Sequence, residues 1–420
     1  MKPRVSSPGK FLVVAISVLL LGSVAWAGTE KVLHTFTITD GEYPYDGVIF
    51  DGSGNLYGSG NLYGTAFYGG STACNGAGCG VVFKLAPDAN GGWAESTIYT
   101  FTGAADGSHP YSPLIFDIAG NLYGTTFGYY SDGGSGYGTA YRLSPKSDGS
   151  WKFSLLHTFG LGNDGVQPNG PIAFDNQGNL YGATFTGGTS NLGTVFKLSP
   201  VADGSWEETV LHSFIGGKDG AYPSAGVVVR NGKVYGTTES GGIGCNTGCG
   251  VVFEFSPNSD STWKESFPRR FTGGVDGYLP YGLLFDSSGN LYGAAAGGNT
   301  AYCYSGCGLV FRMTEKPDGV WMYTVLHNFN GGNGEAPQAL IFGADGNLYG
   351  ATGGGGLAAG LVFELNPDAT WAESVIYEFE GGSDGGQPTP PMVIDSVGNL
   401  YGTALHGGTS DVGVVFEVTP

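Results

Sequence analysis

Residues 171–200 read PIAFDNQGNLYGATFTGGTSNLGTVFKLSP, and this stretch decides the fold. Pro171 to Asp175 is a short apolar run. Asp175-Asn-Gln-Gly178 then carries the Asp-first, Gly-fourth signature of a type I turn. Asn179 to Phe185 reads as a second strand and Thr186 to Leu192 as a Gly-rich loop. Gly193 to Leu198 reads as a third strand, ended by Pro200. Upstream, Phe153 to Phe159 (FSLLHTF) alternates as a strand should. Gly160 to Pro168 reads as a loop with Asp164-Gly165 as its turn signal.

The same unit recurs along the chain. Leu-Tyr-Gly or its variant stands at 62–64, 122–124, 180–182, 234–236, 291–293, 348–350 and 400–402. Val-Phe or a close variant follows at 82–83, 140–141, 195–196, 252–253, 310–311, 362–363 and 415–416. A proline follows a turn in every copy: Pro44, Pro110, Pro168, Pro223, Pro280, Pro337 and Pro388. Four short strands repeated seven times predict an all-β, seven-bladed β-propeller. A β-solenoid is the rival architecture, but its coils are usually shorter than this period. The ends set the phase. Lys31 to Phe36 matches the strand after each Trp, and Gly413 to Pro420 the strand before it, so the N-terminal strand is expected to pair with the last blade and close the ring. Six tryptophans, at 93, 151, 206, 263, 321 and 371, mark six inter-strand turns, and the seventh turn is where the chain is cut. Ser53 to Gly58 is repeated at once as Ser59 to Gly64, which predicts a longer first hairpin.

Composition agrees. Of 420 residues 79 are Gly, with 13% charged and 13% aromatic, which excludes a helical bundle, collagen and a disordered chain. Residues 1–27 read as a signal peptide: Lys2, Arg4 and Lys10, an apolar run from Phe11 to Val24, then Ala25-Trp26-Ala27. Residues 28–420 are then one propeller domain, exported to the periplasm or medium, with no anchor at either end. Removing the leader shifts the formal charge of −19 to −22, because it carries three basic residues and no acidic ones. That charge argues against nucleic acid and membrane surfaces as partners. Nothing in the sequence requires an oligomer. The six cysteines fall into three local pairs, Cys74 with Cys79, Cys245 with Cys249, and Cys303 with Cys307, and in an exported chain they read as disulfides.

The unit FDxxGNLYGTT…GG…GxVFKLxP…W…LHTFxGGxDGxxP resembles the GloVer (Gloeobacter/Verrucomicrobia) tandem repeat of bacterial exported "choice-of-anchor" proteins, over residues 31–420. The resemblance implies export and repeats. It implies no catalytic residues, and this chain departs from the pattern in lacking an anchor. More distantly the unit is similar to kelch and NHL propeller repeats, which mostly serve as binding platforms.

In a propeller of this phase the blade-to-blade loops and the loops between second and third strands share one face. That face holds the long loops, the cysteine pairs and many tyrosines, so it is the expected binding face. Candidate binding residues there are Asp40, Asp106, Asp164, Asp219, Asp276 and Asp384, with Asn333-Gly334-Glu335 in the sixth copy. Tyr129, Tyr130, Tyr222, Tyr278, Tyr302 and Tyr304 join them, among further loop tyrosines such as Tyr43, Tyr45 and Tyr68. The aspartates suit either turn chemistry or an acidic ring around the channel. Asp51, Asp117, Asp175, Asp286 and Asp395 open the short turns and read as structural. His34, His157, His212 and His327 share one strand position with Tyr99 and Tyr377, which argues for packing. No metal-ligand spacing, phosphate loop or Gly-x-Ser-x-Gly occurs, so no metal or cofactor is expected. The expected function is a non-catalytic module recognising a glycan, cell-surface or protein partner. The alternatives are a polysaccharide-active lyase or hydrolase with acidic residues at the channel mouth, and a structural envelope protein. Symmetry breaks at Arg230-Asn231, at Phe267 to Arg270 and at Tyr302-Cys303-Tyr304 are the sequence's pointers to specialised blades.

Overall fold

The computed structural model describes residues 28–420, apart from 52–59, 129–135, 161, 244, 246–247, 261, 299–302, 304–305, 358 and 368–369. The leader, the first copy of the duplicated hexapeptide, and Tyr129, Tyr130, Tyr302 and Tyr304 lie outside the described residues. Seven antiparallel sheets stand in a ring of four-stranded blades; six follow chain order, one of them with its innermost strand in two pieces, and the seventh takes its outermost strand from the N-terminal end. The fourth blade is typical: Val227–Arg230, Lys233–Thr238, Val251–Pro257 and Trp263–Arg270 pair in succession.

The two repeated motifs are two halves of one contact. The glycine of each Leu-Tyr-Gly lies directly across the ladder from the aromatic of the following Val-Phe, as in Gly182 with Phe196 and Gly293 with Phe311. A methyl group on Gly293 would come within 2.5 Å of the Phe311 ring, and the other six blades repeat the overlap. The ring lies flat over its partner strand and is fully buried, an arrangement worth roughly 2–3 kcal/mol per ring. The intervening tyrosine faces the next blade. Tyr123 meets Trp206 at 6.1 Å and Tyr181 meets Trp263 at 6.2 Å. Each core cluster thus joins two blades; one holds Tyr123, Ala140 and Phe159 of the second blade with Ile172, Leu180 and Phe196 of the third.

A second close approach sets blade spacing. Gly193 takes φ +98°, which an L side chain resists, and a Cβ there would stand 2.5 Å from Pro223 Cδ of the next blade. The same contact joins Gly413 to Pro44. Between those blades, Thr29–Thr35 pairs antiparallel with Val414–Thr419, in one sheet with Gly386–Ile394 and Leu400–His406. Phe36 N–H donates to the Gly413 carbonyl at 3.1 Å, and its ring meets Phe83 of the first blade at 5.1 Å.

One local expectation is corrected. Gly165–Pro168, read as loop, forms a strand with Leu180–Gly187, and the apolar run beyond it shrinks to Ala173–Phe174. The innermost strand is a single path with a bulge in it. Blades five, six and seven show the same register shift after their proline, at Pro280/Leu283, Pro337/Leu340 and Thr389/Val393. Proline cannot donate to the ladder, so pairing lapses and resumes beyond it.

Candidate functional site

Those bulged innermost strands converge on the ring's axis. The residue after each repeated proline is polar in all seven blades: Tyr45, Tyr111, Asn169, Ser224, Tyr281, Gln338 and Thr389. Six of these, with Asp46, Glu239 and the Pro390-Pro391 pair, line a cavity of about 150 Å³ on the axis.

Asp46 is its central feature. It occupies the second position after the proline, where the other blades place Ser112, Gly170, Ala225, Gly282, Ala339 and Pro390. Its Oδ2 is buried and has no hydrogen-bond partner. Burial with nothing to compensate the charge pushes its carboxyl up to about 8. The neighbouring backbone holds it in place: Gly47 N–H donates to the Pro390 carbonyl at 3.2 Å, and the Thr403 hydroxyl donates to the Asp46 carbonyl at 3.0 Å.

Glu239 reaches the cavity from just past the second strand of blade four, four residues after Tyr235. Equivalent positions elsewhere hold Phe67, Phe127, Phe185, Ala296, Gly353 and Leu405. Burial raises its carboxyl also. Tyr111 is pushed up by burial and then by Asp46, Tyr45, Tyr281 and Glu239, so both carboxyls act on one phenol. Tyr281 is raised by burial and by Glu239. Tyr45 and Tyr111 pack at 5.1 Å between centroids, with Phe67 behind them. The site therefore holds two carboxyls, three phenols and amide side chains in a mostly apolar wall, the make-up of a small-molecule pocket.

The loop aspartates lie elsewhere, each turned into its own loop. Asp106 accepts from Tyr99 OH at 3.0 Å, Thr102 N–H at 2.9 Å and Thr102 Oγ1 at 2.5 Å. Asp384 accepts from Tyr377 OH and Glu380 N–H, and Asp40 from Thr37. Asp164 and Asp219 stand beside His157 and His212, and Asp276 is paired with Arg269. His212 and the loop N–H groups hold the Asp219 carboxyl below its usual range against burial, and Thr272 and Arg269 do so for Asp276. The short-turn aspartates form a fixed unit: Asp175 accepts from Gln177 N–H, Asn179 N–H and side chain, and Tyr181 OH. Tyr222 packs on Phe185 at 5.3 Å, and Tyr278 lies half-buried against Gly297.

Three disulfides, Cys74–Cys79, Cys245–Cys249 and Cys303–Cys307, close loops of the first, fourth and fifth blades. Each sits against a glycine of the following loop, Gly103, Gly273 or Gly331. The symmetry breaks at Arg230 and at 269–270 are ties between blades. Arg230 donates to the Asp286 and Ser287 carbonyls and covers Phe285, while Arg269 covers Tyr323 at 4.3 Å and Arg270 donates to the Lys218 carbonyl. No described helix is long and apolar enough to cross a membrane.

Tyr45, named from the sequence as a loop tyrosine, lies in this cavity, whereas Asp46 and Glu239 were missed because the sequence reading weighed the repeated loop positions. The signal was one column away: Asp46 and Glu239 are single acidic substitutions at positions otherwise small or apolar.

Fold and repeats define a repeat-built, seven-bladed propeller with a pocket on its axis. The signature of the Gloeobacter/Verrucomicrobia repeat matches residues 23–242, 127–319 and 301–420, and the chain belongs to that family. A comparison with curated proteins finds no match. Among solved structures the chain is similar to the periplasmic gluconolactonase of Pseudomonas aeruginosa, at 15% identity and TM-score 0.52 over 89% of this chain and 95% of that one. It is also similar to a gluconolactonase of Xanthomonas campestris, at 11% identity and TM-score 0.42 over 93% and 89% of the two chains. A luciferin-regenerating enzyme is similar at 14% identity and TM-score 0.42 over 94% and 95%. At these identities the likeness is one of fold. The expectation of a non-catalytic binding module is corrected on this point: the propeller matched at TM-score 0.52 is a gluconolactonase, so the fold is not particular to binding modules.

Proposed function

We propose that the chain is an exported hydrolase whose active site is the axial channel, acting on a C–O bond of a small, neutral, sugar-derived ring. The observation that carries this reading is Asp46: an enclosed carboxyl on the axis, without a hydrogen-bond partner at Oδ2, that keeps its proton to about pH 8. A perturbed acid in a cleft is a functional-site signature. Asp46 acts as general acid and protonates the departing oxygen. Glu239 is the general base: it takes a proton from the water whose oxygen bonds to the substrate carbon, and solvent resets both groups. The phenols of Tyr45, Tyr111 and Tyr281 orient the ring and its hydroxyls. A cavity of about 150 Å³ matches a single ring rather than a polymer segment. The gluconolactonase of like fold is named for a sugar lactone, which makes lactones the first substrates to test. Three disulfides and the leader sequence at 1–27 support export.

The test is turnover of a panel of aldonolactones and aryl glycosides by the mature chain, Asp46→Asn and Glu239→Gln. One substrate class is expected to be hydrolysed, with kcat lowered by roughly 100-fold or more in Asp46→Asn. Turnover unaffected by either substitution, or none in either class, overturns the proposal.

A further inference from the structure

At each boundary between blades one strand residue, one loop residue and one residue of the next blade's outermost strand meet near the rim, away from the channel. In two adjacent boundaries these are His157, Asp164 and Glu208, and His212, Asp219 and Glu265. In each group one ligand atom per residue lies within 4.8 Å of the other two.

We propose that these two groups are divalent transition-metal sites of the zinc class that staple blade two to three and blade three to four. Around tetrahedral zinc, with bonds of about 2.0–2.2 Å, ligand atoms stand roughly 3.3 Å apart. His212 Nε2 lies 3.0 Å from Asp219 Oδ1 and 3.3 Å from Glu265 Oε1. His157 Nε2 lies 3.4 Å from Asp164 Oδ2. The Oε1 atoms of Glu208 and Glu265 are buried without a hydrogen bond, and that of Glu265 faces His212 Nε2, so the third residue of each group is turned toward the other two. At 21%, 11% and 24% exposure, the His212, Asp219 and Glu265 side chains leave a route for an ion and a water ligand.

The other boundaries vary this set: His34, Asp40 and Glu95 repeat the three residue types, but Glu95 Oε1 accepts from Thr97 Oγ1 at 3.3 Å, and beside Asp384 and Glu30 the histidine is replaced by Tyr377. Where the third position is aromatic, the first is no longer His: Phe153 stacks on Tyr99 at 4.8 Å, and Tyr323 lies under Arg269. At His327, whose third residue Glu373 is 2.9 Å away, the loop residue is Asn333, which removes one anionic ligand. A residue set kept only to hold the loop would not need all three ligand types together, since Tyr99 with Asp106 and Tyr377 with Asp384 hold their loops by one hydrogen bond.

The experiment is equilibrium dialysis of the chelator-stripped mature chain against zinc alone, with bound metal counted per chain. Two zinc ions per chain are expected. His157→Gln should bind one and His157→Gln/His212→Gln none, each change weakening its site at least ~10-fold, while His327→Gln keeps two. Glu208→Gln and Glu265→Gln read the same stoichiometry should a histidine variant fail to fold. Zinc uptake that survives the double substitution, or less than one ion per chain at about 100 µM free zinc, overturns the proposal.

Discussion

Asp46 separates stability from function at one atom. A carboxyl whose proton is held to about 8 in the folded chain but lost near 4 in the unfolded one weakens folding as pH rises between those values. The folded state binds the extra proton there, so raising pH favours unfolding. Asp46→Asn cannot ionise, so its stability should fall less steeply than the parent's across that window, where Glu30, Glu95, Glu208 and Glu265, raised to about 7, titrate in both proteins. The gap over the parent should grow to the order of 5 kcal/mol by pH 8, while activity is lost. Parallel pH–stability curves for the two proteins would remove Asp46 from its assigned role. The same group sets the upper limit of activity, which should fall above about pH 8. None of this was visible in the loops, where sequence reading placed its candidates. Aspartates in nearly every copy, such as Asp106 and Asp175, are spent on hydrogen bonds within their own turns. The informative acids are those that break a column, and their depth follows from the bulge after each proline, a three-dimensional fact that spacing does not carry.

Among elements, the second and third strands were the most legible because one contact fixes both. Each Leu-Tyr-Gly predicts a flat backbone and each Val-Phe an aromatic, and the ladder sets them opposite each other. Gly182→Ala puts a methyl group into the Phe196 ring in a fully buried sheet, and should cost roughly 2–3 kcal/mol by thermal or chemical melting. Gly178→Ala, in a turn where an added Cβ meets no other atom, pays only for its φ of +82° and should cost about 1 kcal/mol. Equal costs would mean that the ring is not held as described. The innermost strands were the least legible. Gly165 to Pro168 read as loop residues, yet lie along a strand path that is interrupted by the bulge after the proline.

At the scale of the molecule, the arithmetic of seven prolines, seven aromatic pairs and six tryptophans was enough to count blades. It could not show which side chains face the axis or meet across a boundary. His212 and Glu265 belong to different copies, and only the ring brings them to 3.3 Å. The seventh sheet depends on the N-terminal strand, so a chain lacking residues 29–35 should melt well below the parent and self-associate through the bared edge of Val414–Thr419. An unchanged melting temperature and a monodisperse profile in gel filtration would count against that dependence. The pairing of Thr29–Thr35 with Val414–Thr419 also imposes an order in time. Synthesis delivers the first strand long before its partner, so it must wait unpaired while six blades form beside it. The strand Val414–Thr419 acts as the latch, and until it arrives every earlier blade belongs to an open arc that proteases can still enter.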